Sequence, residues 1–371
     1  MTIVLIILAL SFLITIHEFG HFIAAKMRGI VVEEFGLGYP PRAITLFTWK
    51  GTAFSLNWIP FGGFVKMAGE DASPSKKSKP EKSSYYGASL TSRLIVLLAG
   101  AGVNFLFGAL AFAVIFTKFG IPVEIQGVRI GYVAPGSPAA EVGIQANTEI
   151  TAITIADETT AISTPADVIA AVTAHRGETV LLHTSGPCQE TACPEIDLTF
   201  ETYLRTEEET PAGEGSLGVQ FQQSVQLFYP AWQMPFRGIA FGTKEAVNLG
   251  VTIVGLLGNM MSEMFSSGKL APELSGPVGI VSQAKTMGVF TAGFFTALSF
   301  VAMLSINLAV MNVLPIPPLD GGKAVLTALE SVISPKIIHR VEYYLSYGGY
   351  VALLGLIVII TIRDVVRLFS V

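Results

Sequence analysis

The sequence predicts a multi-span α-helical membrane protein with four transmembrane helices, a membrane-associated β-hairpin region and one extracytoplasmic α+β domain. Three observations carry this expectation. Of 371 residues, 51% are hydrophobic and only 14% are charged. Four apolar segments, near 2–25, 94–116, 291–314 and 347–362, approach or exceed the ~20 residues that a bilayer core requires. Between the second and third spans lies acidic, turn-rich sequence of a different character.

The first predicted helix, 1–26, has no charge from Thr2 to Ile16 and then carries His17-Glu18-Phe19-Gly20-His21. It lacks a basic leader and a small-residue cleavage site, so it is expected to be retained rather than removed as a signal peptide. Residues 27–91 form the cytoplasmic-side β region and a linker. Runs 43–49 and 52–58 flank Lys50-Gly51 and read as a hairpin with a two-residue turn. The Pro/Gly-rich stretch 59–65 then bends the chain, and 70–82 is a Ser/Lys/Pro-rich linker. The second span is 92–118. Short β-like runs alternating with turn residues place a compact domain at 123–206.

The region 219–289 is expected to be amphipathic and interfacial. Its apolar part, 246–261, is short for a span and contains Asn248, Gly250, Gly255, Gly258 and Asn259. A third span falls in 290–322 and a fourth in 345–368. Ten basic residues against five acidic ones from Lys26 to Arg93 put the first loop in the cytoplasm. Three arginines against fifteen acidic residues put the next region outside, although Arg363 and Arg367 near the C-terminus oppose this orientation. The net charge of −5 averages these halves, and there is no nucleic-acid signature. Cys188 and Cys193 fall in the outer domain, where a disulfide is the expected state and two free thiols the alternative.

H-E-x-x-H on a helix places two imidazoles one turn apart with a carboxylate beside them, the arrangement by which many zinc hydrolases hold metal and activate water. In an apolar span nothing local satisfies two buried imidazoles and a carboxylate, so a merely hydrogen-bonded pair is a poor alternative. A catalytic zinc takes three protein ligands and leaves a position open. Asp320 is the candidate third ligand. It ends the segment 312–320, where Pro315, Pro317 and Pro318 forbid regular helix. Judged alone, it is an ordinary turn carboxylate before two glycines. If the first and third spans both descend, Asp320 arrives at the depth of His17 and His21, and this parity requires 246–261 not to span. Glu18 is then the general base. Asn312 reads equally as a substrate contact and as a capping or interhelical hydrogen bond, and Asn104 and Asn307 as interhelical contacts.

These motifs, in order and spacing over nearly the whole chain, resemble the site-2 proteases, close to the bacterial regulator-of-sigma-E protease group. The matching elements are His17–His21, 35–38, 60–69, 99–105, Leu274-Ser275-Gly276-Pro277 and 312–322. The outer domain resembles a single PDZ domain through Gly131-Tyr132-Val133 and Ser137-Pro138-Ala139. Asn147-Thr148 stands where that pattern has Gly-Asp, and Ala101 where the second span has proline. The resemblance implies Zn²⁺ held by His17, His21 and Asp320, with Glu18 as base. It further implies substrate contact by Asn312 and by the β region around Gly62 and Gly63. Implied partners are the lipid bilayer, single-span membrane proteins already trimmed by another protease (anti-sigma factors or remnant signal peptides), and peptide termini at the PDZ-like domain. The implied location is a bacterial-type inner membrane, with the active site toward the cytoplasm. The alternative from another class is a membrane-anchored adaptor with a structural metal site. An extended segment docking on 52–58 is the expected mode of substrate capture.

Overall fold

The computed structural model describes residues 2–70, 82–188, 196–211, 213–267 and 277–369. The chain forms two units, one made of Met1–Ile115 with Pro235–Val371, the other of Phe116–Met234.

Helix α1 covers Thr2–Met27. Ile6, Leu13, His17, Gly20 and His21 are buried on it, while Ile3, Val4, Ile7, Leu8 and Phe12 are exposed. A helix apolar on its exposed face as well as its inner one belongs in lipid rather than water. The chain then enters β1 (Val32–Trp49) and β2 (Thr52–Met67), joined at Lys50-Gly51. Both turn residues have left-handed φ, 46° and 78°, the requirement of a tight hairpin turn that follows strand twist.

Both strands fold back on themselves. Phe35 pairs with Val65 and also with Phe54, and Ser55 pairs with Gly36 and with Thr45. The sheet therefore runs 63–67, 32–37, 52–57, 42–49 in space. This corrects the expectation that 52–58 receives an extended segment, because 52–57 is paired on both sides. The reason is the bend foreseen at 59–65, where Gly62 takes φ 71° and returns β2 to the opposite edge of β1. Buried Glu34 fastens the sheet, accepting from Ser55 Oγ at 2.6 Å and from Arg42 Nε at 2.8 Å. Burial alone would raise the Glu34 carboxyl, but the hydrogen bonds from Arg42 and Ser55 outweigh it and hold it below the usual range. After a single 3-10 turn at Tyr85–Gly87, α2 spans Leu90–Phe119.

The second unit is a sheet with two helices. Its elements are β3 (Ile121–Val133), α3 (Pro138–Glu141), β4 (Thr148–Ile155), β5 (Glu158–Ala161), α4 (Pro165–Ala174), β6 (Thr179–Pro187), β7 (Leu198–Tyr203) and β8 (Val219–Leu227). The strand order is β7-β6-β4-β3-β8 with β5 on β4. Val128, Ile130, Ile150, Ile153, Val168, Leu182 and Leu204 form the core. The Ser-Pro-Ala stretch builds α3: Ser137 Oγ accepts from the Ala140 N–H at 3.3 Å, Pro138 opens the first turn, and Ala139 is fully buried. Thr164 and Asp167 make a reciprocal capping box on α4. Asn147 adopts φ 66°, which asparagine tolerates better than most residues, so its substitution for glycine is accommodated. Cys188 is disulfide-bonded, and Cys193, the only other cysteine in the sequence, lies outside the described residues.

This unit corrects the boundary at 206 and the helical reading from 219. Residues Val219–Leu227 form a strand paired antiparallel with β3, from Val133↔Val219 to Ile121↔Leu227. Val219, Phe221 and Val225 face the core or its margin, but Gln223 interrupts the apolar alternation that would have announced the strand.

The first unit resumes with α5 (Met234–Ser267), α6 (Pro277–Thr286), α7 (Phe294–Val313), α8 (Asp320–Leu329) and α9 (Pro335–Phe369). Residues 274–276 of the matching Leu274–Pro277 stretch lie outside the described residues. Among the described residues five helices, not four, are long and apolar enough to cross a membrane: α1, α2, α5, α7 and α9. Helix α5 corrects the reading of 246–261 as a short interfacial element, since it continues well beyond both ends. Two of its glycines are packing contacts, while Gly255 and Gly258 face open space within the unbroken helix. A Cβ on Gly242 would lie 2.6 Å from the Ala113 nitrogen, and one on Gly250 would touch Val310.

The premise of the parity argument, that 246–261 does not span, fails, while its conclusion about Asp320 is kept. Helices α1 and α7 both run antiparallel to α2, as shown by Phe12 on Phe107 and His21 on Val96, and by the Ala302 carbonyl at Gly108, Ser305 on Asn104 and residues 309–314 level with 98–105. Helix α5 is also antiparallel to α2, with Gly242 beside Ala109 and Ala113, and Val247–Val254 level with Leu98–Phe105. It therefore parallels α7, and the chain between them must return before α7 begins. Asp320 reaches the level of His17 and His21 without α5 having to be short.

Candidate metal centre

His17 and His21 lie one turn apart on the buried face of α1, each 7% exposed. Asp320 is brought to them from 303 residues away in sequence. Helix α7 ends at Val313, the Pro315–Pro318 segment prevents its continuation, and α8 begins at Asp320 itself. The two glycines that follow are needed there. A Cβ on Gly321 would lie 2.2 Å from the Val313 carbonyl oxygen, and one on Gly322 would lie 2.6 Å from the Pro317 nitrogen. Helix α9 closes the turn from the other side, with Gly349 against the Pro317 carbonyl. At its far end α8 is held to α2 by Glu330, whose carboxylate receives both terminal nitrogens of Arg93 and is 5% exposed. His339 Nε2 lies 3.3 Å from the same carboxylate. A buried, bidentate pair of this kind fixes orientation more than it adds stability.

The donor atoms converge. His17 Nε2 and Asp320 Oδ2 are 2.8 Å apart, His21 Nε2 and Asp320 Oδ2 3.2 Å, and the two Nε2 atoms 3.1 Å. Bonds of 2.0–2.2 Å in tetrahedral geometry set ligand atoms about 3.3–3.5 Å apart. A widening of a few tenths of an ångström admits the ion, so two imidazoles and one carboxylate fit zinc in number, type and spacing. Glu18 follows His17 on α1, half-buried, and its carboxylate accepts no hydrogen bond from any described residue. An acceptor left free beside a metal site is available to take a proton.

Three residues of α2, each four apart, back this cluster. Val96 offers its carbonyl to His21 Nδ1 at 2.7 Å. Gly100 lies against both rings, where a Cβ would come within 2.6 Å of His21 Nε2 and 2.7 Å of His17 Nε2. Asn104, fully buried, places its side-chain amide 3.4 Å from His17 Nδ1. The helices touch because Gly20 of α1 meets Ala99 and Gly100 backbone at distances no side chain could share. Substitution Gly100→Ala is therefore expected to displace the imidazoles. Metal content of the purified protein should fall well below that of wild type, with helical circular dichroism retained; full metal content would refute this packing argument.

Asn312 is half-buried near the end of α7, and its amide donates to the Leu308 carbonyl of its own helix at 3.0 Å. Gly62 and Gly63 lie on the returning arm of β2 beside α1, where the Thr15 hydroxyl is 3.5 Å from the Gly62 carbonyl. Asn307 is exposed rather than packed between helices. Of the other histidines, His175 sits 3.0 Å from Glu178, His183 2.9 Å from Thr154, and His339 stacks near Tyr86. Sequence reasoning missed the Val96, Gly100 and Asn104 row. The available signal was a spacing of four on α2 opposite a spacing of four on α1.

Metal donors with a free base beside them, held among helices of spanning length, define a membrane metallopeptidase. Comparison with known proteins agrees: a sequence profile described as peptidase family M50 matches residues 5–356, and the chain belongs to that family. A relative from Clostridium perfringens, named "Putative zinc metalloprotease", is 30% identical over 370 residues, covering 99% of both chains. One of the same description from Clostridium acetobutylicum is 29% identical over 368 residues, covering 98% of this chain and 97% of its own. The zinc metalloprotease RasP of Oceanobacillus iheyensis is 26% identical over 448 residues, covering 99% of each.

Proposed function

We propose that this protein is an intramembrane zinc endopeptidase that cleaves transmembrane segments of single-span proteins already trimmed by another protease, such as anti-sigma factors or remnant signal peptides. The observation that carries this is the meeting of Asp320 Oδ2 with the Nε2 atoms of His17 and His21 at 2.8 and 3.2 Å. These three atoms would hold the zinc, which when bound would supply Lewis-acid polarisation of a carbonyl and a water of pKa lowered toward ~7. Glu18 takes a proton from the attacking water and passes it to the leaving amine. Asp320 and the two imidazoles stay in place, oriented by α2 and by the turn before α8.

A helical substrate hides its peptide bonds, so it must unwind to be cut. With 52–57 interior, the arm carrying Gly62 and Gly63 is the sheet edge beside α1, and it is the better candidate to receive an unwound segment as an added strand. Asn312, which can donate and accept, is a second candidate contact. In the other unit β8 is an edge strand, which supports capture of peptide termini by a PDZ-like domain. The charge distribution supports a bacterial-type inner-membrane protein with its active site toward the cytoplasm and the PDZ-like domain outside.

The alternative, a membrane-anchored adaptor with a structural metal, has no use for the free carboxylate of Glu18. The test is cleavage of a purified single-span substrate in lipid vesicles. Activity should vanish on chelation and return on adding zinc. Absence of product under all three conditions would favour the adaptor.

A further inference from the structure

The row Val96, Gly100, Asn104 on α2 runs antiparallel to His17 and His21, so each imidazole presents its Nδ1 to α2. The two partners differ. His21 Nδ1 lies 2.7 Å from a carbonyl oxygen, a good acceptor for an N–H. His17 Nδ1 faces the Nδ2 of Asn104 at 3.4 Å, near the limit of a hydrogen bond. Meanwhile Asn104 Oδ1 is buried with no partner. An imidazole whose Nε2 lone pair faces a metal carries its proton on Nδ1 and needs an acceptor there, which an amide nitrogen is not. Oxygen and nitrogen of a side-chain amide are interchangeable by a half-turn about one bond. Turning the Asn104 amide gives its orphaned oxygen a donor and gives His17 the same kind of partner that His21 has.

We infer that Asn104 is a positioning residue for His17: its Oδ1 accepts the Nδ1–H and so holds the tautomer whose Nε2 lone pair faces His21 and Asp320. Imidazole ligands generally donate their second N–H to such an acceptor, which fixes ring orientation and raises ligand basicity. The backbone of Asn104 is itself held, since its carbonyl accepts from the buried Ser305 hydroxyl of α7 at 2.8 Å. The same residue was expected from sequence to be a contact between helices, and it is one both through its backbone, to α7, and through its side chain, to His17 of α1.

This inference rests on the metal-site reading above, and the experiment separates the two. Zinc affinity is measured by chelator competition on full-length protein in detergent, for wild type, N104L and N104D, together with thermal unfolding of the metal-free forms. N104L keeps the volume and removes the acceptor, and N104D restores one. The expected result is a 10–100-fold weaker affinity in N104L and recovery to within a few-fold in N104D. Affinity in N104L within twofold of wild type overturns the inference, as does equal weakening in both variants with lowered metal-free melting, which marks a purely packing role. Should N104L not be recovered folded, N104A makes the same comparison with the same expectations. Failure of wild type to bind zinc strikes the metal-site reading instead.

Discussion

Glu18→Gln should leave zinc bound at wild-type stoichiometry and reduce cleavage of a single-span substrate by at least ~10²–10⁴-fold, the range that a positioned general base contributes. The glutamine keeps the size and shape of the side chain but offers no proton acceptor of comparable basicity. Glu18 accepts no hydrogen bond from a described residue, so the packing of α1 does not rest on its side chain. The loss should therefore appear in turnover and not in metal content or melting temperature. Equal product from wild type and the glutamine variant would remove Glu18 from the chemistry and return the adaptor reading to first place.

The second large effect is expected at Asp320. Asp320→Ala removes one of three donors and leaves His17 and His21 facing each other at 3.1 Å without the carboxylate between them. Zinc affinity should fall by more than the ~10–100-fold that loss of an outer-shell partner costs, and activity should fall with it. Asp320 starts α8, whose other end is fixed to α2 by Arg93 and Glu330, so the fold should tolerate the change. Excess zinc should restore little turnover, since the geometry and not only the affinity is lost. Retention of tightly bound zinc in this variant would mean that the third ligand lies elsewhere.

Much of the site is legible in the sequence because its chemistry is written locally. His17, Glu18 and His21 are adjacent on one helix, and their setting in an uncharged span leaves few uses for them. Asp320 is recoverable because three prolines interrupt helix before it and two glycines follow. What is hidden depends on tertiary packing. Gly100 is one glycine among thirty-seven until α2 is laid against α1, and Asn104 reads as any polar group in a span. Strand β8 is masked by Gln223, a polar residue at the position where the alternation of Val219, Phe221 and Val225 calls for an apolar one. Helix α5 reads as too short because its apolar core, 246–261, is flanked and interrupted by polar residues and glycines, of which Gly242 against α2 and Gly250 against α7 are packing contacts. The fold-back of β1 and β2 was half visible, in the bend at 59–65, but its effect on which segment forms an edge follows only from the pairing.

The two units divide the work along the same line. In the first, helices apolar on both faces carry the metal donors at a depth set by α1, α2 and α7. In the second, turns and caps such as Ser137, Asn147 and Thr164 build a small sheet domain with its own core.

Zinc K-edge absorption spectroscopy of the wild-type protein tests the arrangement of donors most directly. Light-atom scattering from two imidazole rings and from oxygen at about 2.0–2.2 Å is the expected result. A coordination shell containing sulfur, or one lacking a second imidazole, would show that His17, His21 and Asp320 do not hold one ion together.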